Sequence, residues 1–163
     1  MNGQTRFAPG LHTVYWQATD DEGNTTTVSQ TIRVNPQVSL SDDGVVTEGG
    51  AASFDVLLSG NAPSYPVTVS YTVSGTADTS DHDLISGTVT IEGGTQATVK
   101  FNIIPDTVID DGETVIVTLN ENVNVGEKAS QTTTIAALTN KLAALENKET
   151  RIMKAPTGSL RSP

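Results

Sequence analysis

Apolar and polar positions alternate with a period of two along most of the chain. The clearest case is Val67, Val69, Tyr71 and Val73, separated by Thr68, Ser70 and Thr72. That alternation is the signature of a strand with one face buried and one face wet. It recurs at Phe54, Val56 and Leu58, at Val99, Phe101 and Ile103, and at Val115, Val117 and Leu119. Shorter signals lie at Thr88 to Ile91, at Gln131 to Thr134, and at Val38 to Leu40, which leads through Asp43-Gly44 into Val45-Val46. About seven short strands with turn residues between them predict an all-β fold over residues 36–134. The expected form is a Greek-key antiparallel immunoglobulin-like sandwich, with a closed barrel as the alternative.

The two ends of the chain read differently. His12 to Ala18 alternates with Val14, Trp16 and Ala18 on one face, and Thr25 to Val34 puts Val28, Ile32 and Val34 on another. The Asp20-Asp21-Glu22-Gly23-Asn24 cluster between them is a turn. Two strands alone are marginal in water, so residues 1–35 are expected to be the C-terminal fragment of a domain plus the Asn35-Pro36 linker. After Thr134 the period changes. Ile135, Leu138, Leu142 and Leu145 follow 3-4-3 spacing among strong helix formers. The pattern predicts an amphipathic helix over 135–154, a disordered tail over 155–163, and a helical face that could support weak self-association.

Composition narrows the chemistry. The 163 residues contain no cysteine, which removes disulfides and thiolate metal sites, and aromatics are only 4%. No apolar run approaches the roughly 18 residues of a membrane span, and the residues after Met1 do not resemble a secretory leader. The formal charge of −10 is uneven. Residues 36–134 hold two lysines against fourteen acidic residues, a net of −12, whereas residues 1–35 carry −1 and residues 135–163 carry +3. So acidic a middle repels nucleic acid and anionic lipid and attracts cations.

The acidic residues are densest in one place. Asp106, Asp110, Asp111 and Glu113 fall within eight positions that contain no Lys or Arg. Carboxylates crowded in this way repel one another, and a hard divalent cation with oxygen ligands relieves the repulsion. The loop points to calcium.

Four landmarks in order make residues 36–134 resemble the Calx-β domains, calcium-binding sandwich modules of sodium–calcium exchangers and of many cell-surface and bacterial adhesive proteins. Thr47-Glu48-Gly49-Gly50 is similar to the family's opening Glu-Gly motif. Gly75-Thr76-Ala77 followed by Asp81 resembles its Gly-Thr-Ala…Asp-Tyr motif, with His82 in the Tyr place. Ile91 to Gly94 resembles the hydrophobic-then-Gly turn, and Ile103 to Leu119 the acidic loop and following strand. The resemblance implies calcium ligands at Glu48, Asp81, Asp106, Asp110 and Glu113. Pro105 stands where some members carry another Asp, and residues 135–140 lack the acidic cluster that usually follows. These departures imply fewer ions or weaker binding, in the range of about 10⁻⁴–10⁻³ M of extracellular modules. Residues 1–34 are similar, over a shorter stretch, to the end of a bacterial immunoglobulin-like repeat.

Catalysis finds little support. The sequence has no nucleophile elbow, no phosphate-cradling Gly loop, and only two widely separated His. The expectation is a non-enzymatic, calcium-binding module of a large extracellular or cell-surface repeat protein, adhesin-like, whose partners are calcium ions and neighbouring repeats of the same chain. A metal-independent structural spacer or a carbohydrate-binding sandwich is the alternative.

Overall fold

The computed structural model describes residues 6–105, 112–121, 123–137, 147 and 148. Its strands are β1 (Gly10–Thr19), β2 (Thr25–Val34), β3 (Val38–Leu40), β4 (Gly44–Thr47), β5 (Ala51–Leu58), β6 (Val67–Gly75), β7 (Gly87–Ile91), β8 (Gln96–Asn102), β9 (Thr114–Leu119) and β10 (Ser130–Ala136). β1 and β2 form a two-stranded ribbon. The other eight build two sheets, one ordered β4-β10-β9-β6-β7 and one ordered β3-β5-β8.

The period-two pattern explains which side chains meet. Phe54, Val56 and Leu58 on β5 and Phe101 on β8 are buried, as are Val69 and Tyr71 on β6 and Val115, Val117 and Leu119 on β9. They fill the space between the sheets. Phe54 and Tyr71 lie edge-to-face across that space with ring centroids 5.3 Å apart, the geometry aromatic quadrupoles favour.

Two expectations need correction. The sandwich has eight strands, not about seven, and it is not purely antiparallel. The single strand signal read from Val38 to Val46 is broken at Asp42-Asp43. Its first part pairs with β5 in one sheet, and its second part pairs in parallel with β10 in the other, Ile135 opposite Val46. The Asp43 carboxylate fixes the break by accepting the Thr132 N–H at 2.9 Å and the Lys128 ammonium at 3.0 Å.

The second correction concerns the C-terminal amphipathic helix. Among the described residues there is no helical element. Ile135, chosen as its first apolar position, is instead fully buried in β10. In β10, Gln131, Thr133 and Ile135 point inward, so Ile135 ends a period-two series rather than opening a helical one. A residue shared by both periods cannot separate them. Beyond Ala137 only Asn147 and Lys148 are described, with helical backbone; the rest of 138–154 and the tail 155–163 lie outside the described residues.

Candidate metal centre

One end of the sandwich gathers the segments that carry Glu48, Asp81 and Glu113. Gly49 there has φ +74° and Gly50 has no room for a side chain, because an added Cβ would lie 2.8 Å from the Thr47 carbonyl. A left-handed glycine followed by a bare one lets the chain reverse tightly after β4. In consequence Glu48 folds inward, only 2% exposed, and its N–H donates to the Ala136 carbonyl at 3.1 Å. This gives the Thr-Glu-Gly-Gly motif a mechanical meaning. The Gly50 carbonyl in turn accepts the Ile103 N–H at 2.9 Å, which ties this turn to the segment after β8.

Asp81 is reached next. Ile104 donates its N–H to the Asp81 carbonyl at 2.8 Å, and the Asp81 side chain is 8% exposed. Its carboxylate accepts the Asp78 N–H at 2.6 Å through one oxygen and the Ser80 hydroxyl at 3.3 Å through the other. A carboxylate offers about four lone-pair positions, so both oxygens retain capacity for a cation.

The two neighbouring acids are engaged elsewhere. Asp83 accepts the Asn102 backbone N–H and the Asn102 side-chain amide, both at 2.7 Å, and these bonds hold its carboxyl below the usual range. Asp78 accepts the Ser80 hydroxyl and N–H at 2.6 Å and is lowered by them in the same way. His82 is buried. Its Nδ1 accepts the Leu84 N–H at 3.2 Å, and its ring stands edge-on to Phe101 with centroids 6.5 Å apart.

Glu113 enters from the other side. Its carbonyl accepts the Ile135 N–H at 2.7 Å, while the Gly112 N–H donates to the Ile135 carbonyl at 2.9 Å. The next residue is clamped. Thr76 and Ala77 both donate backbone N–H groups to the Thr114 carbonyl, at 3.0 and 3.1 Å, and the Thr114 N–H returns a bond of 2.9 Å to the Thr76 hydroxyl. Gly75 permits this approach: its φ is +133°, and a Cβ there would lie 2.0 Å from the Thr114 carbonyl oxygen. No sequence signal pointed to this clamp, because Thr76 and Thr114 lie 38 positions apart in ordinary β-rich surroundings.

The backbone bonds thus bring the turn of Glu48, the loop of Asp81 and the approach to β9 at Glu113 to the same end. Asp106 and Asp110, with Asp111, lie outside the described residues. Among the described residues no group of three or more His, Asp or Glu side chains is close enough to hold a metal ion.

Solved structures of the same architecture exist. The sandwich superimposes on the crystal structure of calcium binding domain CBD12 of CALX1.1 with a TM-score of 0.53 at 20% identity, covering 62% of this chain and 44% of that one. For CBD12 from CALX1.2 the TM-score is 0.54 at 19% identity, covering 62% and 45%. The fold is Calx-β-like. The chain spans less than half the length of either of these Calx-β structures. No protein-family model matches the sequence, and no curated protein does.

Proposed function

We propose that the Calx-β-like sandwich is a calcium-binding module. Glu48, Asp81, Asp106, Asp110 and Glu113 would supply the oxygen ligands, with backbone carbonyls and water completing the shell. The observation that carries the reading is the buried Glu48 carboxylate on the same end of the sandwich as Asp81 and the borders of the acidic segment. The donor chemistry fits, since every acidic candidate offers hard oxygen and the chain contains no thiol. The architecture shared with the two calcium-binding CBD12 structures supports the same choice. Calcium would neutralise the acidic end and hold its loops together, stiffening the domain and its junction with whatever follows β10.

The wider setting belongs to the same proposal: a non-enzymatic, adhesin-like module of an extracellular or cell-surface repeat protein, next to other repeats of its parent chain. Weak binding in the range of about 10⁻⁴–10⁻³ M suits that setting. The short similarity of residues 1–34 to the end of an immunoglobulin-like repeat supports a tandem array. Calorimetric titration with calcium, on the intact chain and on the Asp106→Ala/Asp110→Ala variant, tests the metal claim. A heat of binding lost in the variant supports it. The second reading is a metal-independent spacer, for which calcium and chelator leave the melting temperature equal.

A further inference from the structure

We propose that the sandwich is a force-bearing module, and that the seam between residues 38–47 and 124–136 is the clamp that resists tension along the chain. The two segments run side by side in the same direction. At one end Val38 forms a parallel bridge with Val125. Its N–H donates to the Asn124 carbonyl at 2.8 Å, and its carbonyl accepts the Gly126 N–H at 2.7 Å. Leu40 donates its N–H to the Lys128 carbonyl at 2.9 Å. Further along, β4 and β10 pair in parallel from Gly44 opposite Thr133 to Thr47 opposite Ala136. The Glu48 N–H closes the seam on the Ala136 carbonyl at 3.1 Å.

The direction of the two segments decides how they meet load. The chain enters the seam after Asn35-Pro36 and leaves it after Ala136, with residues 1–34 before it and 138–163 beyond. Tension therefore pulls the entering segment backwards from its first residue and the leaving segment forwards from its last. In a parallel pair the backbone bonds are evenly spaced from strand to strand, so this pull shears them together. Antiparallel partners would place entry and exit at one end, where tension opens the bonds one at a time. The seam is also shielded from water. Val38, Leu40 and Ile135 are buried and Val125 packs against the core, whereas local opening favours solvent-exposed bonds with few apolar contacts.

Asp43 is the latch of this clamp. It stands where the entering segment passes from one sheet to the other, between the Leu40 bond and the Gly44 pairing. One of its carboxylate oxygens accepts both the Thr132 N–H at 2.9 Å and the Lys128 ammonium at 3.0 Å. Both partners belong to the leaving segment. Hydrogen bonds to an ionised acceptor are stronger than those between neutral groups. A single side chain thus ties the two segments at the point where the backbone changes sheets.

Single-molecule pulling on the full chain tests this. The chain contains no cysteine, so a pair of introduced thiols gives unique handles. Asn35→Cys/Ala137→Cys loads the seam in shear, while Asn35→Cys/Glu127→Cys puts both handles at the Val38 end and peels it. The measurements are made in chelator, so their outcome is independent of the calcium site. Forced unfolding reports the unfolding rate under load. At one constant force the lifetime in shear should exceed that in peel by about tenfold or more, equivalent to about 1.4 kcal/mol of barrier. Asp43→Ala should shorten the shear lifetime by about tenfold and leave the peel lifetime unchanged, a dependence on geometry that a general loss of stability would not produce. Circular dichroism checks that each variant retains its strands, and the comparison of geometries stands on its own if Asp43→Ala does not fold. Equal lifetimes in the two geometries overturn the clamp. Equal shortening in both by Asp43→Ala overturns the latch.

Discussion

Ile104 donates its backbone N–H to the carbonyl of Asp81 at 2.8 Å, joining the segment that enters the acidic stretch to the loop bearing a buried carboxylate. Two residues 23 positions apart in number are thereby held at one end of the sandwich. Glu48 reaches the same end through the Gly50–Ile103 bond. The proposed calcium site rests on these backbone ties, and they make it testable piece by piece.

The buried carboxylates should matter for calcium more than for folding. Glu48→Gln and Asp81→Asn preserve shape and remove one negative charge each. We expect each to weaken calcium binding by about tenfold or more, corresponding to about 1.4 kcal/mol. Without calcium the melting temperature should change little, because removing a buried charge relieves desolvation while it loses hydrogen-bond strength. Calorimetry paired with thermal melts in chelator separates the two effects; equal losses in both would assign these residues to the framework alone.

Gly75 is expected to be intolerant. At φ +133°, with the Thr114 carbonyl 2.0 Å from a new Cβ, Gly75→Ala must either strain the corner or break the Thr76–Thr114 clamp. The expected loss is about 2–4 kcal/mol of unfolding free energy in urea. Gly93→Ala, where a Cβ meets nothing within 4 Å, should stay within about 0.5 kcal/mol of the parent.

Ile135→Ala tests the strand assignment at the C-terminal boundary. A fully buried Ile between β4 and β9 should cost about 2–5 kcal/mol on truncation. An exposed first turn of a helix would lose only a few tenths, so denaturant unfolding distinguishes the two placements.

Low pH should loosen the sheet switch and the Asp83 anchor. Asp43 is held below its ordinary value of 3.8, first by the Thr132 N–H and then by Lys128. Asp83 is held below 3.8 by its bonds from Asn102. For a carboxyl depressed in the folded state, the stabilisation is present above the unfolded value and is lost as pH falls through the folded one. The melting temperature should therefore decline below about pH 4. The decline should be shallower in Asp43→Asn/Asp83→Asn, as measured by thermal melts across the acid range.

Period-two alternation made most of the sandwich readable. Val69, Tyr71, Val115, Val117 and Leu119 all face the core, because burial on one face is what the pattern encodes. The break at Asp43 was hidden, since changing sheets requires no change of period and the residues on both sides remain strand-like. Ile135 misled because a single apolar residue satisfies both a strand and a helical spacing. Trp16 alternates with Val14 and Ala18 as a core-facing residue would, and it is paired across the ribbon with Val28 yet 62% exposed. Alternation marks a face as apolar and does not say what covers it. In the candidate site, the Glu-Gly-Gly turn and the Asp81 loop were visible as motifs. Their convergence depended on backbone bonds between distant segments, such as Gly50 to Ile103, which no local pattern records.

Calcium titration followed by calorimetry and thermal melting tests the central claim most directly. At about 10 mM calcium, a site of about 10⁻⁴–10⁻³ M affinity adds roughly 1.4–2.7 kcal/mol to stability. That corresponds to a rise of roughly 5–20 °C for a domain of this size. The account predicts this rise in the intact chain, a matching heat of binding, and the loss of both in Asp106→Ala/Asp110→Ala. No heat and no shift in the intact chain, or a shift of the same size in the double variant, would contradict it.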